Sequence, residues 1–371
     1  MHITKSLKTF AVAVAAVPML ASCLSDGNSY AGIFGIGANS GKPVYANTAY
    51  SFVSFGSYRS WHIEQTAGGD WCRLDMTKGS GGAYFSIPAW FDLNTTGKAR
   101  NVIYIVRDDQ DGDDVYGTFS FVQRATRIDG SLGSAALVTG IEGDDGSSVA
   151  VEYDTLCRPV DVTIKKDGAV LRHVSVEYTY DDNGYYLAAG GMAADCDFDY
   201  RPRRLTSETD TVGYYEQGYI TDMTWDAFNV EERKSGGERI AQALLFTTGS
   251  IRNLDPDSEQ SADSLRYRHY EADGTVYGED LKLSYSKNSN RLQSVDANQL
   301  LLGIEECSPY MLISLFPEAR NSYLISEAAA ADGKIAVATT LNADGSVATM
   351  AVTNKQGQTV NYTFTYSSEL P

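Results

Sequence analysis

Hydrophobic and polar residues alternate along most of this chain. Val174, Val176, Tyr178 and Tyr180 are separated by Ser175, Glu177 and Thr179, and Tyr362, Phe364 and Tyr366 by Thr363 and Thr365. A period of two with β-branched and aromatic residues predicts half-buried antiparallel strands. Asp-Gly and Asn-Gly pairs punctuate the runs at Asp167-Gly168, Asn183-Gly184, Asp273-Gly274, Asp332-Gly333 and Asp344-Gly345. Such pairs suit tight hairpins, whose central residues must tolerate positive φ. The chain therefore reads as mostly β. A small Ig-like β-sandwich is followed by a larger antiparallel β-meander domain with a short helical pair.

The helical pair is expected within 296–317. Asp296 is placed to cap a first segment, Ser308-Pro309 to open a second, and Pro317 to stop it. The stretch from Thr224 is a weaker helix candidate, because Gly236-Gly237 would break it into loop and strand.

Between Tyr45 and Arg124 about seven short strands are expected, at 50–55, 60–65, 71–76, 83–87, 91–93, 101–107 and 115–123, at the spacing of a sandwich. The boundaries read as 1–22 for a signal peptide, 23–43 for a flexible tether, 44–125 for the sandwich, 126–139 for a linker and 140–371 for the large β domain.

The front end has a different pattern. Lys5 and Lys8 precede an apolar run from Phe10 to Leu20, which is too short to span a bilayer at about 20 residues. A basic head, a short apolar middle and a small-residue exit make a secretory signal. Leu20, Ala21 and Ser22 followed by Cys23 resemble the lipobox of bacterial lipoproteins. That resemblance implies lipidation of Cys23 and a membrane partner reached through the anchor, since buried acyl methylenes contribute about 0.8 kcal/mol each. It places the protein in the cell envelope, at the outer membrane, with the periplasmic and extracellular faces both open. One acid, Asp26, closely follows Cys23.

Composition narrows the partners. The 371 residues carry a formal charge of −18. Loss of the two signal-peptide lysines makes it more negative still. An acidic surface argues against nucleic acid and is compatible with neutral glycans. Cys72, Cys157, Cys196 and Cys307 show no Cys-x-x-Cys spacing, so no zinc site is expected. They read as buried thiols, with Cys157–Cys196 the one bridge considered.

Three stretches in the first domain carry a resemblance. "SWHIEQTAGGDWCRLDMTKGSGG", "NTTGKARNVIYIV" and "TFSFVQ" supply Trp61, Trp71, Gly79-Ser80-Gly81, Asn94, Arg100 and Val122-Gln123 in order. This set is similar to the BACON domain (Bacteroidetes-Associated Carbohydrate-binding Often N-terminal). The resemblance covers about 80 residues and implies an Ig-like fold that binds carbohydrate or mucin, or serves as a spacer. Further on, "VEYDTLCRPVDVTIKKDG", "VEYTYDDNGYYLAAG" and "LSYSKNSNRLQSVDANQLL" resemble the Tyr-x-Tyr-Asp-x-x-Gly-Arg-Leu units of C-terminal domains in Bacteroidota lipoproteins, which imply a curved sheet and no particular chemistry.

Aromatic residues in the first domain supply candidate contacts. Trp90 in "SIPAWFDLN", with Asp92 and Asn94 beside it, is the best placed indole for stacking on a pyranose face. Trp71 is a second candidate, although it and Trp61 lie in alternating runs where a sandwich keeps its core, with each indole N–H bonded to a carbonyl. Asp109, Asp111 and Asp113 alternate as hard-cation ligands do. An EF-hand count from Asp109 puts Asp114 where glycine is needed and Ser120 where glutamate is needed, so the stretch reads as a solvated hairpin tip with no metal. His62, His173 and His269 stand in separate segments, and there is no Gly-x-Ser-x-Gly elbow or phosphate loop. Acid pairs such as Glu305-Glu306 arise readily among 48 acids. No catalytic residue and no cofactor is assigned. The leading expectation is a non-enzymatic envelope protein that binds glycan or glycoprotein. An assembly subunit and a glycan hydrolase are the rivals.

Overall fold

The computed structural model describes residues 33–109, 115–180, 257, 259, 261–270, 275–304 and 320–367 (38, 39 and 83 excepted), together with the backbone of strands between 184 and 248. Signal, lipobox and Cys23 lie outside the described residues, as do Cys307 and the expected second helix. Residues 32–371 form one compact unit.

The first part is a sandwich of nine strands: β1 (Ile33–Gly37), β2 (Pro43–Val44), β3 (Tyr50–Ser57), β4 (Trp61–Ala67), β5 (Cys72–Leu74), β6 (Lys78–Gly79), β7 (Tyr84–Phe91), β8 (Arg100–Asp108) and β9 (Val115–Gln123). One sheet runs β1-β3-β7-β5 and the other β2-β9-β8-β4-β6. Alternation decides what lies between them. In β8, Val102, Tyr104, Val106 and Asp108 are buried, and Asn101 beside them is exposed. Trp61 is fully buried, edge-on to Phe55 at 4.9 Å and to Phe85 at 5.1 Å. Its indole nitrogen has no hydrogen-bond partner, contrary to the expectation of a bonded N–H. The ring packs so closely that a Cβ on Gly79 would come within 2.6 Å of it, so only glycine fits opposite. The Tyr104 hydroxyl crosses between the sheets to donate to the Cys72 carbonyl at 3.0 Å.

Two sequence boundaries move. A tether is expected over 23–43, yet β1 pairs with β3 and β2 with β9, so the sandwich begins by Ile33. The strand expected at 91–93 is not separate, because β7 carries on through Phe91.

The second part is a meander: β10 (Val138–Gly143), β11 (Ser147–Tyr153), β12 (Pro159–Lys166), β13 (Ala169–Tyr180), β14 (Gly184–Ala189), β15 (Met192–Asp197), β16 (Pro202–Ser207), β17 (Thr211–Tyr214), β18 (Ile220–Thr221), β19 (Thr224–Arg233), β20 (Arg239–Thr248), β21 (Ser264–Tyr270), β22 (Val276–Ser289), β23 (Tyr323–Ala330), β24 (Gly333–Leu341), β25 (Val347–Thr353) and β26 (Thr359–Tyr366). Its strand order closes on itself, because β26 returns to β10 with Ile141 opposite Phe364. The β12–β13 turn holds Asp167 at φ 48° and Gly168 at φ 81°, as a two-residue hairpin of the primed type requires. The stretch from Thr224 is the hairpin β19–β20. Where a helical pair is expected, the described part is a single 3-10 turn, Ala297–Leu302, capped by Asp296, which accepts from the Asn298 N–H. Six residues, closed off by Gly303, are too few to repay nucleating an α-helix.

On β11, β12, β25 and β26 the buried positions include Val149, Val151, Val162, Ile164, Val347, Met350, Val352, Tyr362 and Phe364. Ala150, Glu152, Lys165, Asn361, Thr363 and Thr365 alternate with them and face water. A lipid-spanning barrel needs an apolar outward band. These described strands bury their apolar face and expose a polar one. Among the described residues, no helix is long and apolar enough to cross a membrane.

The segment 126–139, expected to be a linker, is mostly buried and bonded on both sides. Low aromatic content there reflects close packing against backbone. The Ile128 N–H donates to Asn47 of the sandwich at 2.9 Å. Asp257 accepts from Ala125 N, Thr126 N and Thr126 Oγ1. Arg320, buried beyond β22, donates to the carbonyls of Asp129, Asn290, Gln293, Ser294 and Val295. A Cβ on Gly133 would stand 1.8 Å from the Asn94 carbonyl oxygen, so only glycine fits this junction.

Replacing Arg320 with Met should destabilise the protein by about 3 kcal/mol or more, because it strips buried carbonyls of their donors. Urea unfolding followed by fluorescence measures this; a loss below about 1 kcal/mol would mean the guanidinium is not central.

Candidate functional site

The outer face of the β1-β3-β7-β5 sheet carries the best candidate site. Successive residues of a strand alternate in direction, so β7 turns Ile87, Ala89 and Phe91 inward and Pro88 and Trp90 outward. Trp90 is 43% exposed. Register gives it two neighbours on the same face, Tyr50 on β3 and Arg73 on β5. The Tyr50 and Trp90 rings lie 5.2 Å apart, tilted by 58°. The indole N–H donates to Asp75 Oδ1 at 2.7 Å. One ring face is thus held at a fixed tilt, with its polar edge already satisfied. Phe52 and Pro88 stand opposite each other farther along the sheet, the first buried and the second half-buried.

Arg73 Nη1 donates to Asp92 Oδ1 at 2.7 Å, and both side chains are more than half exposed. Exposed pairs of this kind contribute little to stability, about 0–1 kcal/mol. Their polar atoms are available beside the indole as donors and acceptors for hydroxyl groups. Sequence reasoning missed Tyr50, Arg73 and Asp75. The signal that would have found them is strand register, which alternation alone does not supply.

The other two candidates do not join this face. Asn94 is fully buried. Its amide donates to the Lys98 and Arg124 carbonyls and its oxygen accepts from Thr96 N and Oγ1, so it closes a loop and has nothing left for a ligand. Trp71 is buried against Phe91, with the Arg100 guanidinium 4.6 Å over its ring. Arg100 is itself held by Gln123 and the Asp92 carbonyl. Asn94, Trp71, Arg100 and Gln123 therefore build the loop that ends β7.

The aspartate-rich hairpin places Asp109 against His62, Nδ1 to Oδ1 at 2.5 Å, while Arg107 donates to Glu64 on the same strand as His62. Asp111, Asp113 and Asp114 lie outside the described residues. Among the described residues no group of three metal-ligating side chains comes together. Cys72 and Cys157 are buried free thiols, so the Cys157–Cys196 bridge is not formed. Burial raises the Cys72 thiol to about 11, which leaves it inert as a nucleophile at neutral pH. Glu305 and Glu306 fall outside the described residues.

No family model matches the chain, and no curated protein matches it. Among solved structures, a Bacteroides ovatus GH5 xyloglucanase in complex with a XXXG heptasaccharide aligns at 20% identity and a TM-score of 0.19, over 22% of this chain. The chain spans only 16% of that enzyme. A porin-like protein from Bacteroides uniformis aligns at 11% identity and a TM-score of 0.37, over 63% of this chain and 99% of its own. Similarities this low settle neither fold nor activity.

The Asp109 carboxylate, aided by Glu64 and opposed by slight burial, holds the His62 pKa above its ordinary 6.5. Protonated His62 should therefore stabilise the fold in full below about pH 6.5. That contribution should fade as pH rises through its folded value. An NMR titration should place the His62 midpoint above 6.5, and Asp109→Asn should bring it down.

Proposed function

We propose that this chain is a non-enzymatic, lipid-anchored envelope protein that binds neutral carbohydrate, free or on a glycoprotein, across Trp90. The observation that carries the reading is the exposed Trp90 ring, set at a fixed angle by Asp75 and Tyr50. A sugar presents an apolar C–H face and a belt of hydroxyls. The indole meets the first, and the Arg73–Asp92 pair meets the second. Because the ring is already fixed, little side-chain freedom is lost on binding, which is the usual gain from preorganisation. The acidic surface disfavours sulfated or sialylated chains.

Anchoring rests on Leu20-Ala21-Ser22-Cys23. The water-facing polar positions of the closed meander support a body that stands in solvent on its anchor. The sandwich then serves partly as a spacer, rigidly joined to the meander through 126–139. Assembly by strand addition is less well served. Edge strands β2, β5 and β6 are two or three residues long and β1 is five, while β10 and β26, the ends of the meander, pair with each other.

Trp90→Ala should weaken binding of neutral oligosaccharides found on a glycan array by about tenfold or more, while Trp90→Phe keeps part of it. An array with no neutral ligand, or a ligand indifferent to Trp90→Ala, would defeat the proposal. Separately, Cys23→Ser should shift the protein from the membrane fraction to the soluble one, with loss of the acyl mass by mass spectrometry.

A further inference from the structure

A second concavity lies far from the indole face in sequence and differs from it in chemistry. Hairpin connections β10–β11, β12–β13 and β25–β26 gather at one end of the closed meander, around a cavity of about 340 Å³. That volume is at the small end of the range for ligand sites, about 300–1,000 Å³.

The 3-10 turn and the residues just after it form the floor. Leu300, Leu301 and Ile304 line the cavity, and Val352 and Val360 form a wall. All are aliphatic. The Tyr362 ring also lines the cavity, but it is almost fully buried, and the branched aliphatic walls suit a flexible hydrocarbon chain. The polar groups stand among the hairpin connections: Asp145, Ser147, Lys166, Asn354 and Gln358. Lys166 Nζ is 2.6 Å from Asp145 Oδ2, so opposite charges are paired there. A carboxylate head would gain from the lysine and be repelled by the aspartate, and a cationic head would meet the reverse. A neutral head bearing hydroxyls can donate to Asp145 and accept from Lys166 at once.

The β12–β13 turn adds a further observation. Val170 is 59% exposed and Leu171 45%, and Leu171 also lines the cavity. Leu171 thus joins the outer surface to the cavity with an aliphatic side chain.

We infer that this cavity binds a neutral amphipathic molecule, an aliphatic chain ending in a hydroxyl-bearing head, with the chain on Leu300, Leu301 and Ile304 and the head at Asp145 and Lys166. At about 30 Å³ for each small group, the volume admits on the order of ten of them, so a ten-carbon chain is a fair probe. This site is independent of the one at Trp90 and does not depend on sugar binding there.

Calorimetry of the mature, unacylated protein with 1-monodecanoylglycerol, decanoate and decyltrimethylammonium, each below its micellar concentration, tests the inference. The glyceride should bind at one per chain, and both charged probes at least tenfold more weakly. Val360→Trp, which fills the wall, should abolish binding. Leu171→Ser, at an exposed position that folding does not need, should weaken it severalfold with an unchanged melting temperature. Absence of saturable binding by the glyceride, equal or tighter binding of either charged probe, or binding untouched by Leu171→Ser overturns it.

Discussion

The buried guanidinium of Arg320 is the constraint on which the rest of the structure depends. A guanidinium has five N–H donors and no acceptor, and it cannot shed its charge. Burying it is costly unless its donors are used. Arg320 meets that demand with backbone carbonyls from two regions of the chain that are distant in sequence, Asp129 on one side and 290–295 on the other. It thereby draws the segment after the sandwich onto the loop after β22. Asp296, buried nearby, has its carboxyl pushed above the usual range by desolvation, with Arg320 pulling the other way. Asn290 bridges the two, since its side chain donates to Asp296 and its carbonyl accepts from Arg320.

From this hub the order spreads outward. Arg127, also buried, donates to the Gly133 and Ala135 carbonyls and folds 126–135 into a tight knot. Gly133 lets that knot touch the Asn94 loop. Asn94, Arg100 and Gln123 then fix the end of β7, where Trp90 and Asp92 sit. The exposed indole is thus positioned by a chain of backbone-directed hydrogen bonds running back to the junction. A group argued to bind a ligand needs such support, because an exposed ring on a mobile loop would give up its freedom on binding.

The closed meander obeys a simpler rule. Its described strands put aliphatic and aromatic side chains on one face and threonine, glutamate, lysine or asparagine on the other. The pairing of β26 with β10 covers what would otherwise be the two outermost edges of the meander. It also leaves a concave end, where hairpin turns surround the 3-10 turn and the aliphatic cavity remains unfilled by side chains.

The amino-acid sequence by itself determined the local pieces. Alternation at Val174–Tyr180 and Tyr362–Tyr366 set strands, Asp167-Gly168 set a hairpin, Asp296 set a cap, and Trp61 was placed in a core. Trp90 was singled out from its neighbours in "SIPAWFDLN", but it fell between two expected strands, and only the longer β7 sets it outward. Only the tertiary structure decided which strands are neighbours. Ile141 faces Phe364 from the far end of the meander, and nothing in a period of two names a partner. For the same reason Tyr50, Arg73 and Asp75 beside Trp90 were out of reach. The burial of Asn94 was also hidden, because a short polar residue near a strand end reads alike whether it closes a loop or faces water, whereas the alternating run of Trp71 already pointed to the core. The segment 126–139 shows the same ambiguity. Small residues allow both flexibility and close approach, and it is the bonds from Arg320, Asn47 and Asp257 that selected the second.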